Sequence, residues 1–266
     1  MLRCDRRALA SLSCCTLALG IVLADATGAA GEEPREDFRV ENQVFLGDSK
    51  TPYCRTTTIF HQGMVYDFLD DPAEIIVLDK QAGRFVLLDT VHKLTTELTI
   101  DDVIQFTKRL QQSAENHSDP FVNFLAAPTF YERFDKEADE LSLSSSWMTY
   151  RLQLLKPKSP AIVAQYREFA DCYARLNPML HPGARPPFAR LLVNEAMQRY
   201  AAIAQRVHLS LSPKKTFPPT RTIIRSEHEL TRQMAKADLD RVTQTRQFMD
   251  IFKPVSLEQY RKAREG

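Results

Sequence analysis

The side chains best suited to acid–base chemistry in this sequence are those of His61, Asp67 and His228. A histidine held within reach of a carboxylate is a common centre of hydrolytic sites, where the imidazole acts as general base. If folding brings the three residues together, they would form a hydrolase site. However, the sequence places no nucleophile or orienting partner beside them, and a histidine next to a hairpin turn is also explained as a surface residue. We therefore predict no catalytic residue. Both interpretations of His61, as part of a hydrolase site and as a surface residue, stay open.

Motifs for metal, phosphate or acyl chemistry are not found in the sequence. His228-Glu229 begins like the helix of a zinc protease, but Arg232 stands where that motif requires a second histidine. The six histidines are isolated, and none has a histidine or cysteine at a spacing that would bring two ligands together. Neither a glycine-rich phosphate loop nor a G-x-S-x-G motif can be written. The sequence predicts neither a metal site nor a cofactor.

The charge balance and the first thirty residues indicate the class of protein. The chain has 35 basic and 34 acidic residues, which argues against a nucleic-acid binder or a polybasic membrane-surface protein. Residues 1–30 combine three arginines with an apolar run and small residues that permit cleavage after Ala26 or Ala30. This layout is typical of a secretory signal peptide. We expect an exported protein, periplasmic or extracellular, with no membrane span in the mature chain.

Cysteine usage is simple once the predicted signal peptide is set aside. Of five cysteines, Cys54 and Cys172 remain. An even pair in an oxidising compartment favours one disulfide, although spacing alone cannot show that the two meet. The alternative is a pair of unbonded, buried thiols.

The rest of the chain divides into two parts by predicted secondary structure. Residues 31–155 read as a β-meander with one helix, and residues 156–266 as a helix-rich part that packs on the sheet within the same globular unit. Five helix starts are predicted, at Asp101 as N-cap, at Ser159-Pro160, near Ala189 for a helix to Val207, and at the capping-box patterns Ser226–Glu229 and Ser256–Gln259.

The stretch Ile75 to Asp89, "IIVLDKQAGRFVLLD", predicts an antiparallel hairpin around Lys80 to Gly83. Cross-strand partners share a face of the sheet, so Ile76 pairs with Leu87 on one face and Val77 with Val86 on the other. Both faces are apolar, whereas antiparallel sheets usually leave one face to water. Either helices pack on both faces, or one face lines an apolar cavity.

The segments "TTTIFHQGMVYDFL", "AEIIVLD" and "GRFVLLD", followed by a helix and further strands, resemble the half-barrel of the periplasmic lipoprotein carriers, the LolA/LolB-like superfamily. The resemblance implies a curved antiparallel sheet whose apolar face, covered by helices, holds lipid chains. The helical second part departs from that pattern and resembles exported proteins of planctomycete-type bacteria. We expect an α+β fold with a half-barrel-like, curved antiparallel sheet of about seven strands, covered by helices mainly from the C-terminal half.

Two functions follow as hypotheses. The first is non-enzymatic binding of an apolar or lipid-like ligand, a lipid or a lipidated protein, between sheet and helices. The predicted lining residues are Ile59, Tyr66, Phe68, Ile76, Leu78, Phe85, Leu87 and Tyr150. The alternative is an envelope interaction or scaffold protein with a fully packed sheet, which would dock a partner protein through the proline-rich segment Asn177 to Phe188.

Overall fold

The computed structural model describes residues 35–70, 73–212 and 222–264. The predicted signal peptide and its cleavage sites lie outside the described residues. Within these ranges the helices are α1 Ile100–Glu115, α2 Pro120–Ala126, α3 Pro160–Leu180, α4 Phe188–Arg199, α5 Lys236–Ile251 and α6 Leu257–Ala263. None of the described helices has the length and apolar character needed to cross a membrane.

The described strands form one curved sheet. They are β1 Phe38–Leu46, β2 Cys54–His61, β3 Met64–Leu69, β4 Glu74–Asp79, β5 Arg84–Asp89, β6 Leu94–Thr99, β7 Tyr131–Asp135, β8 Glu140–Ser144, β9 Met148–Leu155, β10 Ile203–Leu211, β11 Thr222–Thr231 and β12 Lys253–Pro254. Their order in the sheet is β12-β6-β5-β4-β3-β2-β1-β11-β10-β9-β8-β7, and only the short β12 pairs in parallel. The predicted α+β class with a curved antiparallel sheet is therefore confirmed.

Two consecutive meanders make up this sheet. Strands β1 to β6 form the first and β7 to β11 the second, and the two meet where β1 pairs with β11. We call this pairing the seam. The division predicted near residue 155 falls between β9 and β10, which are paired neighbours in the second meander. Strands from both predicted parts consequently belong to one sheet.

The predicted hairpin Ile75 to Asp89 is confirmed, and a second hairpin precedes it in the first meander. Ile76 pairs with Leu87 and Val77 with Val86, and the β2–β3 hairpin turns at Gln62-Gly63. Both turn residues have positive φ, 51° at Gln62 and 77° at Gly63, as a tight two-residue hairpin turn requires. Local turn chemistry therefore sets the register of these strands.

Helices cover both faces of the first meander. Ile76 and Leu87 pack with Phe169 and other side chains of α3 on one face. Val77 and Val86 pack against α5 on the opposite face. Two further contacts hold α5 in place: Arg246 Nε donates to Tyr66 Oη at 3.1 Å, and the guanidinium of Arg241 lies 4.0 Å from the centre of the Phe68 ring. The apolar character of both faces is thus explained by packing.

The second meander has its own apolar cluster. Leu141, Leu152 and Val207, from three neighbouring strands, pack with Val193 of α4 and Leu125 of α2. The described residues thus form three apolar clusters around one sheet, two of them on the face that carries α3 and α4.

The predicted count of about seven strands is too low, since the described residues contain twelve. Two of the missing strands replace predicted helices. The helix expected from Ala189 to Val207 ends at Arg199, and β10 begins at Ile203. The helix expected at Ser226 is wrong, because Ser226–Glu229 lies within β11 and pairs with both β1 and β10. Pairing with two neighbouring strands outweighs the local capping pattern.

The side chains that cap α1 and α6 can be compared with those predicted. Thr99, and not Asp101, caps α1, since its hydroxyl accepts the backbone N–H of Asp102 at 3.0 Å. The capping box at Ser256 and Gln259 is present and opens α6, as the sequence predicts.

The predicted disulfide is not formed. Cys54 begins β2, and Cys172 lies half-buried on α3 against the α3 cluster, without a bond between the two sulfurs. Burial raises the pKa of the Cys172 thiol to about 11. An even number of cysteines indicates that a bridge is possible, but it does not place the two side chains side by side.

Candidate functional site

A cavity of about 550 Å³ lies between the sheet and the helices α3 and α4. Its wall includes residues of β1, β2 and β3 from the first meander and of β9, β10 and β11 from the second. The cavity therefore spans the seam. Its volume is within the range of small-molecule sites in proteins, about 300–1,000 Å³.

The part of the sheet that lines the cavity near the seam is polar. Alternate positions along β3, β2, β1 and β11 carry side chains that can form hydrogen bonds. We call them the polar strip, and they are Asp67, Thr58, Thr56, Asn42, Ser226 and His228. Register brings them together, because Asp67 pairs with Thr58, and Asn42 pairs with both Thr56 and His228. A strip of this kind on a covered face of a sheet is unusual, since buried polar groups cost free energy unless they are hydrogen-bonded.

Asp67 is the buried carboxyl group of the polar strip, with only 4% of its surface exposed. The Thr58 hydroxyl donates a hydrogen bond to its Oδ1 atom at 2.6 Å. Burial raises the pKa of Asp67 to about 7, and the negative charge of Glu74 adds to that effect while the Thr58 hydrogen bond opposes it. Near neutral pH this carboxyl can therefore be a hydrogen-bond donor or an anion.

His228 is the half-buried imidazole of the polar strip. Its Nδ1 atom lies 3.1 Å from the carbonyl oxygen of Ala204 and 3.3 Å from Tyr166 Oη. Burial, with the charge of Arg190, lowers the pKa of His228 to about 4, so the ring is neutral at physiological pH. A carbonyl oxygen only accepts hydrogen bonds, so Nδ1 carries the proton and Nε2 is left as an acceptor.

Asn42 is the polar-strip residue with an unmet hydrogen-bonding need. Its Oδ1 atom is buried and has no hydrogen-bond partner among the described residues. An unsatisfied buried acceptor typically costs about 1–3 kcal/mol. A hydrogen-bond donor on a bound molecule would remove that cost.

The part of the wall contributed by β9, β10 and α2 is apolar. Leu125, Met148 and Leu209 lie there with the ring of Tyr150, all of them members of the second-meander cluster. From α3, Phe169, Ala170 and Ala174 complete the wall opposite the sheet. The cavity is consequently amphipathic, with a polar strip at the seam and an apolar wall beside it.

Of the predicted lining residues, only Tyr150 is among the residues that line this cavity. Four of the others belong to the α3 cluster: Ile76, Leu78, Phe85 and Leu87. Three pack on the α5 face: Ile59, Tyr66 and Phe68. The four residues of β4 and β5 lie on strands that α3 covers directly, at a distance from the seam. The three residues of β2 and β3 lie on strands that line the cavity, but on the opposite face, against α5. The sequence could not locate the seam, because the partner of β1 is far away in the chain.

The proposed hydrolytic constellation does not assemble. His61 lies on the α5 face of β2, with Nδ1 2.6 Å from Asp37 Oδ2. Asp67 lies on the opposite face. Only Asp67 and His228 share the cavity. The sequence contains one signal for this strip: Thr58 pairs with Asp67 on a face whose neighbouring positions are apolar.

The proline-rich segment Asn177 to Phe188 forms part of the cavity wall. Asn177 closes the last turn of α3, and Gly183 to Pro187 follow as a loop that leads into α4. Docking of a partner protein through this segment stays a prediction.

No protein-family model matches the sequence, and no curated protein matches it. Among solved structures, the chain is similar to the crystal structure of the LolA superfamily protein NE2245 from Nitrosomonas europaea. The sequence identity is 7%, the TM-score is 0.28, and the match covers 77% of this chain and 90% of that one. A likeness at this level neither assigns a family nor transfers an activity, so the functional argument depends on the cavity.

Proposed function

We propose that this protein is an exported, non-enzymatic binding protein that holds an amphipathic, lipid-like molecule between its sheet and its helices. The observation that carries the proposal is the cavity at the seam, whose apolar wall lies next to a strip of buried and half-buried polar side chains. A purely apolar ligand would remove water from the polar strip without offering its groups a new partner, whereas a fully polar ligand would leave the wall of Leu125, Met148 and Leu209 without a partner.

Native mass spectrometry of the mature protein, purified from its own exported fraction, tests this proposal. We expect a recurrent adduct of lipid size, which organic extraction should release for identification. Purification from the exported fraction tests the localisation at the same time.

A matched pair of variants shows whether such an adduct occupies the cavity. Ala174 lies on α3 in the cavity wall, whereas Ala164 lies on the exposed side of the same helix. Ala174→Trp should fill part of the cavity and remove the adduct, and Ala164→Trp should retain it. Loss of the adduct in both variants, or in neither, contradicts a site in this cavity, and an adduct-free wild-type protein contradicts the proposed function.

A further inference from the structure

The charged side chains of the cavity wall are unevenly balanced. Among the described residues, two arginines, Arg185 and Arg190, line the cavity, against one carboxylate residue, Asp67. The remaining titratable groups of the wall are His228, which is neutral at physiological pH, and the tyrosines 150, 166 and 173. Since Asp67 is itself partly protonated near neutral pH, the wall carries a net positive charge.

Arg190 is the arginine placed to act on a ligand. It is half-buried in the first turn of α4, and among the described residues no carboxylate forms an ion pair with it. Its charge contributes to the lowered pKa of His228 and acts on the pKa values of Tyr150 and Tyr166. Arg190 lines the same cavity as these three residues, one of which, His228, belongs to the polar strip.

The contrast with other arginines of the fold supports this assignment. The half-buried Arg39 bonds to Asp238 at 3.2 Å, and even the more exposed Arg199, at the other end of α4, bonds to Glu132 and Glu195. Half-buried arginine side chains usually have such partners, because the guanidinium loses part of its hydration. The first turn of α4 also carries no acidic residue and no side-chain cap, so its positive helix end adds to the charge of Arg190.

We propose that the ligand is an anionic amphiphile, with an acyl chain against the apolar wall and a carboxylate or phosphate head group bound by Arg190. A carboxylate and a phosphate have the same requirement, a planar donor pair with positive charge, and the guanidinium supplies it. This inference depends on the proposed function and names the class of ligand.

Isothermal titration with dodecyl compounds below their micelle concentrations tests the inference. The probes are dodecanoate, dodecyl phosphate, 1-dodecanol, dodecyltrimethylammonium and inorganic phosphate. We expect the two anionic amphiphiles to bind at least tenfold more tightly than the alcohol and the ammonium compound. Inorganic phosphate alone should bind more weakly than dodecyl phosphate, because it has no chain to occupy the apolar wall.

Variants of Arg190 separate charge from structure. Arg190→Gln should weaken dodecanoate binding about tenfold and leave dodecanol binding unchanged, whereas Arg190→Lys should recover part of the anion affinity. Arg206→Gln is the matched control, since Arg206 is an exposed residue of β10 that does not line the cavity. The melting temperature of Arg190→Gln should equal that of the wild type, because no ion pair is lost.

Three outcomes would overturn the inference and leave the proposed function standing. They are equal affinities for the anion and the alcohol, tightest binding of the ammonium compound, and an anion affinity that Arg190→Gln does not change. If inorganic phosphate binds as tightly as dodecyl phosphate, the site is one for free anions and the inference is wrong. Failure of every dodecyl compound to bind would contradict the proposed function itself.

Discussion

Asp67 is buried and His228 is half-buried in the wall of the same cavity, and burial moves their pKa values in opposite directions. The pKa of Asp67 is raised from 3.8 to about 7, and that of His228 is lowered from 6.5 to about 4. In both cases burial disfavours the charged form, so a neutral acid and a neutral base are the states that the folded protein prefers.

These shifts predict opposing contributions to the pH dependence of stability. Between about pH 4 and 7 the folded state keeps a proton on Asp67 that the unfolded state releases, so this residue makes stability fall as pH rises. Between about pH 4 and 6.5 the unfolded state binds a proton on His228 that the folded state does not, so this residue makes stability rise with pH. The two effects largely cancel in the wild type.

Single substitutions should reveal each effect. For Asp67→Asn, the contribution of this pair to the free energy of unfolding should rise by on the order of 3 kcal/mol from pH 4 to 6.5, because His228 is then the only one of the two that titrates. For His228→Gln, it should fall by a similar amount from pH 4 to 7. Urea unfolding at four pH values measures both slopes. Identical slopes in the two variants would contradict the assigned pKa directions.

At the scale of elements, the β4–β5 hairpin is buried on both faces. Leu87 and Leu88 are neighbours in sequence, yet Leu87 packs against the α3 cluster and Leu88 against the α5 cluster. We expect Leu87→Ala and Leu88→Ala each to lower the free energy of unfolding by about 2–5 kcal/mol, as in other buried leucines. Val91→Ala, at a position that is 65% exposed, should change it by less than about 0.5 kcal/mol. The free energies of unfolding are measured by thermal or urea denaturation. A small loss of stability in either leucine variant would mean that its face of the hairpin is not packed.

The start of α1 offers a second test at this scale. Thr99→Ala removes the side chain that accepts the Asp102 backbone N–H, and should cost about 1 kcal/mol of stability. Asp101→Ala leaves that cap intact and should cost only a few tenths of a kcal/mol through the helix dipole. The urea midpoint of Thr99→Ala should therefore be lower than that of Asp101→Ala. A lower midpoint for Asp101→Ala would mean that Asp101 is the cap.

The elements that could be predicted from the sequence are those specified locally. The hairpins at Gln62-Gly63 and at Lys80 to Gly83 have their turn residues and both strands within about fifteen residues, so alternation and turn type fix the register. The part of β11 from Ser226 to Glu229 could not be predicted as a strand, because it matches a helix cap locally and only its pairing with β1 makes it a strand. The polar strip was missed for the same reason, since it is assembled from four strands that only the sheet order brings together.

At the scale of the whole molecule, the two meanders are tied together by the seam and by helices. Helix α3 packs on the first meander, while both α3 and α4 line the cavity that spans the seam. We expect one cooperative unfolding transition. Trp147 lies next to β9 in the second meander. The unfolding curve from its fluorescence should coincide with the curve from circular dichroism, which follows total secondary structure. Two separate transitions would show that the meanders are independent units.

The seam also has a consequence for the order of folding. Each meander pairs strands that are close in sequence, but Arg39 of β1 pairs with Thr231 of β11, almost two hundred residues later. Contacts of such long range carry a large loop-closure entropy and form late. We therefore expect pulse-labelled hydrogen exchange during refolding to protect the amides of β3 to β5 before those between β1 and β11. The cavity, which needs strands from both sides of the seam, would then be the last part of the protein to form.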